Sequence, residues 1–178
     1  MLQQFIFKII KNLPPETAHN ITLKILKFNL IQNFIFKDSS LHQHIFGFDF
    51  SNPIGIAAGF DKNVEVIKPL LNLGFAFVEA GTVTPKPQYG NEKPRIFRLK
   101  EDFAIINHLG FNNKGAAYAK KQLKKLNLNS LSKGIVGINI GRNKNSINYI
   151  DDYKYCLEEL GPFAHYVTIN ISSPNTPG

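Results

Sequence analysis

Hydrophobic residues recur at helical spacing in the first 36 positions of the chain. The first apolar series is Leu2, Phe5, Ile6, Ile9, Ile10 and Leu13. Polar side chains such as Lys8 take the other side, which is typical of an amphipathic helix. Pro14 and Pro15 then interrupt the pattern, and Glu16 suits the first turn of a second helix. The predicted apolar face of this second helix is Ala18, Ile21, Ile25 and Phe28.

These helices and the apolar stretch from Leu30 to Phe36 form a segment with two possible uses. No uncharged apolar run approaches the roughly 20 residues that span a bilayer, and Lys8 interrupts a signal-peptide core. The helices either lie in the plane of a membrane interface or pack onto the following domain, and the pattern leaves both open. The predicted division is an N-terminal helical segment, residues 1–46, and a second unit, residues 47–178.

From Gly47 onward, short apolar runs that end in glycine and polar residues alternate with segments of helical length. This alternation predicts strands and helices in turn, with the strands parallel. The candidate strands are Pro53 to Ala57, Phe75 to Ala80, Ile135 to Ile140 and Tyr166 to Ile171.

The last two strands have one aliphatic face and one small or polar face. In the earlier strand, Val136, Ile138 and Ile140 alternate with Gly137, Asn139 and Gly141; in the later one, Val167, Ile169 and Ile171 alternate with Thr168, Asn170 and Ser172. Because strands of an open parallel sheet are usually apolar on both faces, this pattern indicates a (β/α)8 barrel of the TIM type. Asn139 and Asn170 would point to a ligand at its mouth.

Small residues also lie within the first two predicted strands or just after them. They are Gly55, Ala57, Gly59, Ala76 and Ala80. They predict space for a broad, flat ligand, although relief of crowding inside a barrel would also explain them. A long excursion from Thr84 to Asn113 contains the strand-like run Arg95 to Leu99 and is either a functional cover for the site or a structural loop.

Composition and charge restrict the possible partners and sites of the protein only slightly. The chain has 178 residues, 43% of them hydrophobic, and a net charge of +8 from 21 basic and 13 acidic side chains. This charge suits an anionic partner such as a phospholipid surface, a nucleic acid or an acidic substrate. The spacing of the lysines at 120, 121, 124 and 125 predicts a solvent-exposed helix face. The single cysteine, Cys156, excludes an internal disulfide, and no spacing of His and Cys predicts a metal site.

Four stretches of the sequence resemble dihydroorotate dehydrogenase, in that family's order and at its spacing. They are Asn52 to Lys62 (NPIGIAAGFDK), Gly81 to Pro85 (GTVTP), Lys93 to Arg98 (KPRIFR) and Asn170 to Gly178 (NISSPNTPG). Two features point to the membrane-associated, quinone-dependent class. One is the N-terminal helical pair, and the other is Ser173, which stands where the soluble classes carry a catalytic cysteine.

The resemblance implies a flavin enzyme of pyrimidine biosynthesis that oxidises dihydroorotate to orotate. It assigns flavin mononucleotide (FMN) to Ala58, Gly59, Phe60, Asp61, Lys62, Thr82, Asn139 and Asn170. It assigns dihydroorotate to Lys62, Asn107, His108, Leu109, Gly110, Phe111, Asn170 and Asn175. Ser173 is the implied catalytic base, with Thr176 and Phe111 as hypothetical helpers, and no metal or nucleic acid is implied. A quinone would accept the electrons, and the protein would lie on the cytoplasmic face of the cell membrane.

The family barrel has eight strands, whereas this chain ends after the fourth predicted one. We therefore expect a truncated barrel that lacks its C-terminal half, with two unpaired sheet edges. A half-barrel that dimerises is a further possibility. The alternative functions are an inactive remnant that binds membrane or nucleic acid through its basic charge, and a fumarate- or nicotinamide-linked relative of the enzyme.

Overall fold

The computed structural model describes residues 10–28, 38–131 and 134–171. The second predicted helix is present as α1 (Pro15–Lys27), which begins after Pro14 with a proline in its first turn. Residues 10–12 are helical. Residues 1–9, which make up most of the first predicted helix, lie outside the described residues, as does the stretch from Leu30 to Phe36. Within the described part of the chain, no helix is both long enough and apolar enough to cross a bilayer.

The four predicted strands form one parallel sheet, which confirms the sequence interpretation. They are β3 (Gly55–Ile56), β4 (Phe77–Val83), β7 (Ile135–Ile140) and β8 (Tyr166–Ile169), in the order β3-β4-β7-β8. The sheet is the strand layer of a partial barrel, with β3 and β8 at its two edges among the described strands. The predicted ends were wrong by a few residues: β3 is shorter than predicted, and β4 runs on to Val83.

Three helices cover the aliphatic side of this sheet. They are α2 (Ile67–Asn72), α3 (Ala116–Leu126) and α4 (Tyr149–Leu160). Their buried residues pack with the aliphatic residues of the central strands into one core, which contains Leu70, Val78, Leu123, Val136, Ile138, Ile140, Cys156 and Leu160. The outer face of the sheet is therefore apolar and covered by helices, and the polar residues lie on the opposite, inner face. Burial raises the pKa of the Cys156 thiol to about 12.

Among the described strands, two antiparallel hairpins form separate two-stranded sheets that do not pair with the parallel sheet. The first pairs β1 (Gln43–Ile45) with β2 (Phe48–Phe50), and the second pairs β5 (Ile96–Leu99) with β6 (Ala104–Asn107). The predicted division between residues 46 and 47 falls in the turn of the first hairpin and stays a prediction. In the second hairpin the strand-like run was recognised from sequence, but its partner β6 was not.

Helix α1 packs onto the second hairpin and α2 through both apolar and charged contacts. Leu26 is buried in the core, and the buried Arg95 donates to both carboxylate oxygens of Glu16, at 2.6 and 3.2 Å. Arg98 donates to the carbonyl of Leu13 at 2.6 Å. These contacts support the packing alternative for α1. The predicted apolar face of α1 was partly wrong, since Phe28 is 72% exposed whereas Leu26 is buried.

The small residues were predicted to leave space for a ligand, but not all of them do so. The Phe77 ring fills the space beside Gly55, because a Cβ there would overlap that ring. Ala76 and Ala80 are buried, and Ala80 belongs to the aliphatic core rather than to the ligand side. Gly59 fits the prediction, since it has a φ of +106° and a Cβ built on it would meet no atom within 4 Å.

Candidate functional site

Three side chains predicted to contact a ligand meet on the inner face of the sheet. The Thr82 hydroxyl donates to Oδ1 of Asn139 at 2.6 Å. The side-chain amide of Asn170 donates to Thr82 Oγ1 at 3.2 Å and to Asn139 Oδ1 at 3.3 Å. Thr82 and Asn139 are buried, and together the three residues form a hydrogen-bonded polar cluster.

The strand register explains this convergence. Asn139 lies opposite Thr168 in the β7–β8 pair, and the backbone N–H of Asn170 continues that pairing by donating to the carbonyl of Ile140 at 2.9 Å. The β4–β7 pair is irregular between Ala80 and Val83, where Thr82 lies. Because parallel strands bring their carboxyl ends to one edge, residues far apart in sequence become neighbours there.

A carboxylate that sequence reasoning missed lies next to this cluster. Glu79 accepts hydrogen bonds from Asn139 Nδ2 at 2.8 Å, Thr168 Oγ1 at 3.0 Å and the Tyr166 hydroxyl at 3.2 Å. The available signal was a single charged residue inside the otherwise uncharged strand β4. Burial and the Glu79 carboxylate raise the pKa of Tyr166, which therefore stays protonated and donates.

The turn after β3 is joined to β4 by backbone hydrogen bonds. The N–H of Gly59 donates to the carbonyl of Gly81 at 2.8 Å, and the N–H of Gly81 donates to the carbonyl of Asp61 at 2.9 Å. The buried Asp61 carboxylate accepts from the backbone N–H groups of Glu65 and Val66, at 2.9 and 2.8 Å. Burial raises the pKa of Asp61 despite these bonds. The Asp61 side chain thus stabilises the turn that carries the neighbouring predicted residues.

Lys62 has an unusual electrostatic setting for a lysine. Its Nζ donates to the carbonyl of Gly59 at 2.5 Å. Burial lowers the pKa of Lys62, and the charge of Arg95 adds to this, while Glu16 and Asp61 oppose it. Among the ion pairs of the described residues, none joins a carboxylate to this ammonium. A half-buried ammonium in this setting suits a site that receives an anion.

A cavity of about 310 Å³ lies between α1, the turn after β3 and the β5–β6 hairpin. Its lining includes the predicted residues Gly59, Lys62, Asn107 and Leu109, together with the unpredicted Glu16, His19, Arg98 and Asn112. Burial, and then the charge of Lys62, lowers the pKa of His19, whose ring meets Phe60 edge-on at 5.2 Å. The amphipathic pattern of α1 gave no indication that its polar residues would line a cavity.

The loop from Asn107 to Asn113 is tied to the sheet at its base. Asn113 donates to Thr84 Oγ1 and to the carbonyl of Phe111, both at 2.8 Å, and accepts from the N–H of Gly115 at 2.8 Å. The Phe111 ring and the Thr82 methyl group both lie close to Gly141, where a Cβ would be 3.1 and 2.7 Å from them. Phe111 is thus adjacent to the polar cluster.

Not every predicted residue faces the same space. The His108 ring stacks on Phe97 at 5.8 Å, and the carbonyl of Gly110 accepts from Gln88 at 3.0 Å. Ala58 is half-buried in the turn after β3. The catalytic assignment to Ser173, the substrate assignment to Asn175 and the helper Thr176 lie outside the described residues. In residues 10–28, 38–131 and 134–171, no group of three acidic, histidine or cysteine side chains could hold a metal ion.

A model of the family described as dihydroorotate dehydrogenase matches residues 40–178. The curated dihydroorotate dehydrogenase (quinone) of Erythrobacter litoralis is 47% identical over the whole chain, which covers 51% of that protein. The corresponding protein of Rhizobium rhizogenes is 52% identical over 93% of this chain and 45% of its own length.

Solved structures agree with the sequence relatives. The crystal structure of Eimeria tenella DHODH in complex with ferulenol superposes with a TM-score of 0.87 at 40% identity, over 96% of this chain and 48% of that one. The ligand-free form from the same organism gives a TM-score of 0.86 at 42% identity. The chain spans about half the length of the curated relatives it matches. From its sequence, its partial barrel and its relatives, the chain belongs to the dihydroorotate dehydrogenase family.

Proposed function

We propose that this chain supplies the flavin- and dihydroorotate-binding front half of a quinone-dependent dihydroorotate dehydrogenase, an oxidoreductase of pyrimidine biosynthesis. The observation that carries the proposal is the meeting of Thr82, Asn139 and Asn170 at the carboxyl ends of parallel strands. The turn that carries the half-buried Lys62 is hydrogen-bonded to the strand of Thr82. The names of the curated relatives favour quinone over fumarate or a nicotinamide as the electron acceptor. Ser173 supports the same choice.

The polar cluster fits the edge of a flavin ring, which carries both hydrogen-bond donors and acceptors. Side-chain amides and a hydroxyl can match either type, and Gly59 leaves open space beside them. When bound, FMN supplies a two-electron acceptor. The residues proposed to hold it are Ala58, Gly59, Phe60, Asp61, Lys62, Thr82, Asn139 and Asn170. Asp61 would contribute by shaping the turn, because its carboxylate already accepts three backbone hydrogen bonds.

Dihydroorotate is a ring with amide and imide edges and one carboxylate. Lys62 would balance the carboxylate charge, since its ammonium is partly buried and its pKa is lowered by that burial. Asn107, Asn170 and Asn175 would match the amide edges. The remaining loop residues, His108, Leu109, Gly110 and Phe111, would enclose the ring. Phe111 is the best placed of these, because its ring lies beside Gly141 and Thr82.

Ser173 is the proposed base that removes a proton from a ring carbon of dihydroorotate. A serine hydroxyl is a weak base, so it needs a dry site and a route for its proton. Phe111 would exclude water and Thr176 would relay the proton.

The quinone and the membrane belong to the same proposal. The cavity beneath α1 opens beside Lys62 and is lined in part by apolar groups of Leu23, Ile96 and Ile105. The exposed side chains of Ile25 and Phe28 on α1 give that helix an apolar outer surface. We propose peripheral attachment to the cytoplasmic face of the membrane, with the quinone entering past α1.

The proposal is tested by visible absorption spectra of this chain, alone and joined to the C-terminal half of a curated relative. We expect bound FMN in the joined protein, bleached by dihydroorotate and restored by a quinone. Replacing Ser173 with Ala should leave FMN bound but slow bleaching by about 100-fold or more, whereas Ser172→Ala serves as the matched control. Absence of bound FMN from the joined protein would refute the proposal and favour a basic remnant, to be checked by salt-sensitive binding to anionic vesicles.

A further inference from the structure

Glu79 occupies an unusual place for a carboxylate. It lies within β4, directly opposite Gly137 of β7 in the strand register. All three of its described hydrogen bonds come from side chains on the inner face, two of them from β8. No lysine or arginine contacts it among the described ion pairs. Its partners are thus neutral donors, and one of them is the predicted ligand residue Asn139.

Gly137 allows this arrangement. Gly137 pairs with Tyr166 in the β7–β8 register, and the Tyr166 ring crosses over it to reach the carboxylate. A Cβ on residue 137 would overlap the Tyr166 ring and lie 2.5 Å from its hydroxyl oxygen. The glycine is therefore needed for the Tyr166–Glu79 contact, and three adjacent strands are linked across the barrel interior.

A carboxylate that only accepts determines how Asn139 is oriented. Glu79 accepts a hydrogen bond from Nδ2 of Asn139 at 2.8 Å, so the Oδ1 atom of that amide must face away from Glu79. On that side, Oδ1 of Asn139 accepts hydrogen bonds from two donors, the Thr82 hydroxyl and the Asn170 amide. With its proton directed at Asn139, the Thr82 oxygen can accept from Asn170, at 3.2 Å.

The order of donors and acceptors thus runs in one direction from Glu79 through Asn139 and Thr82 to Asn170. If Asn139 turned over, its Nδ2 would face the Nδ2 of Asn170, and two donors would oppose each other. Turning Asn170 over as well would restore the bonding but reverse the edge that it presents at the barrel mouth. A single half-buried carboxylate therefore selects one of two hydrogen-bonding patterns.

We propose that Glu79 is a positioning residue, which sets the donor and acceptor sense of Asn139 and Asn170 toward the flavin and substrate without touching either. The functional part of this inference rests on the proposed function; the orientation of the two asparagines does not. Glu79→Gln is the informative substitution, because it keeps the size of the side chain but adds a donor that Asn139 can meet with its oxygen.

The first test follows the side-chain amide signals of Asn139 and Asn170 by nitrogen-15 NMR in the full 178-residue chain. We expect Glu79→Gln to shift both pairs of signals and to increase their exchange with water, although Glu79 makes no described contact with Asn170. Tyr166→Phe is the matched control, since it removes another donor to Glu79 and should leave Asn170 unchanged. An unchanged Asn170 signal in Glu79→Gln would overturn the proposal.

The second test measures FMN affinity, by quenching of flavin fluorescence, in the chain joined to the C-terminal half of a relative. Glu79→Gln should raise the Kd for FMN about tenfold, and Tyr166→Phe less than threefold. Adding Asn139→Asp to Glu79→Gln should recover at least threefold, because the carboxylate introduced at position 139 would accept from the new amide at position 79, from Thr82 and from Asn170, and would restore the original sense. Equal losses in Glu79→Gln and Tyr166→Phe would indicate a merely structural role and overturn the proposal. If the unsubstituted joined protein binds no FMN, the proposed function fails, and the NMR result decides the positioning role.

Discussion

The Thr82 hydroxyl donates a 2.6 Å hydrogen bond to Oδ1 of Asn139, although 57 positions separate the two residues in the chain. Both are buried, and both lie on strands that also pack an aliphatic core against the outer helices. The bond therefore joins β4 to β7 on the side that faces the barrel interior. Its loss should affect both the stability of the sheet and the shape of the site.

Replacing Thr82 with Val tests this bond with little change in side-chain size. The substitution leaves a buried amide oxygen of Asn139 with one donor fewer and removes the acceptor for Asn170, so we expect a loss of about 2 kcal/mol in the free energy of unfolding. Urea denaturation measures it. Thr17→Val on the exposed side of α1 is the control and should change stability by less than about 0.5 kcal/mol. Equal effects at the two positions would contradict the prediction.

Lys62→Met should stabilise the fold at neutral pH while weakening substrate binding. Burial lowers the pKa of Lys62 below its usual 10.5, so the charged form is less stable in the folded state. The unfolded chain then binds more protons between the lowered pKa and 10.5, and this cost disappears as the pH rises through that window. The stabilisation by Met should therefore shrink between neutral pH and 10.5.

Denaturation at several pH values measures the gain from Lys62→Met, and Lys68→Met on α2 serves as the control. In the joined enzyme, the Kd for dihydroorotate should rise by roughly 10- to 100-fold, since a charge-assisted hydrogen bond is lost. A gain in stability that does not depend on pH would show that packing, rather than charge, is the cause.

Glu16→Gln should loosen the attachment of α1 to the β5–β6 hairpin. The hydrogen bond from Arg95 is the main reason that the pKa of Glu16 is lowered from 4.5. The stabilisation is therefore complete above pH 4.5 and is lost as the pH falls through the lowered pKa. Because Arg95 is buried, we expect a loss of about 2 kcal/mol at pH 7. Lys93→Met removes an exposed cation at 3.4 Å from Glu16 and should cost much less.

Glu65 should dominate the acid sensitivity of the fold. Burial alone would raise its pKa, but hydrogen bonds from Lys114, Tyr118 and Lys27 outweigh burial and lower the pKa to about 2. This stabilisation is complete above pH 4.5 and is lost between pH 4.5 and 2. We expect Glu65→Gln to cost about 2 kcal/mol at pH 7, a discounted value because both lysines are half exposed.

Denaturation curves measured from pH 7 to pH 2 check the Glu65 prediction. The variant should show a flatter dependence of stability on pH than the parent chain below pH 4.5. Glu159→Gln is the matched control, because Glu159 pairs with Lys120 on partly exposed helix surfaces. If the acid transition were unchanged in Glu65→Gln, another carboxylate would have to account for it.

The parallel sheet could be predicted from sequence because its signal is local. Val136, Ile138 and Ile140 alternate with small or polar residues, and this period alone separates a core face from a ligand face. Asn139 and Asn170 were placed on the ligand face by the same argument, and both lie in the polar cluster. The short edge strand β3 and the strand β6 were less predictable, since their limits depend on partners distant in sequence.

The cavity beneath α1 and the role of Glu79 were not predictable in this way. Glu16, His19 and Arg98 become neighbours of Lys62 only because α1 packs beside the hairpin and the turn after β3. Gly55 shows the opposite error, since the space that its missing side chain seemed to offer is filled by Phe77 from the adjacent strand. In each case the outcome depends on which side chain arrives from another element.

The amino-acid sequence by itself determined the strand and helix periods, the barrel faces and the family, because each rests on residue types at fixed local spacing. Tertiary structure alone decided which groups touch. Thr82, Asn139, Asn170 and Glu79 form one hydrogen-bonded group only when three strands align in a single register. Hydrogen bonds require atoms within about 3 Å, and spacing along an unfolded chain carries no information at that scale.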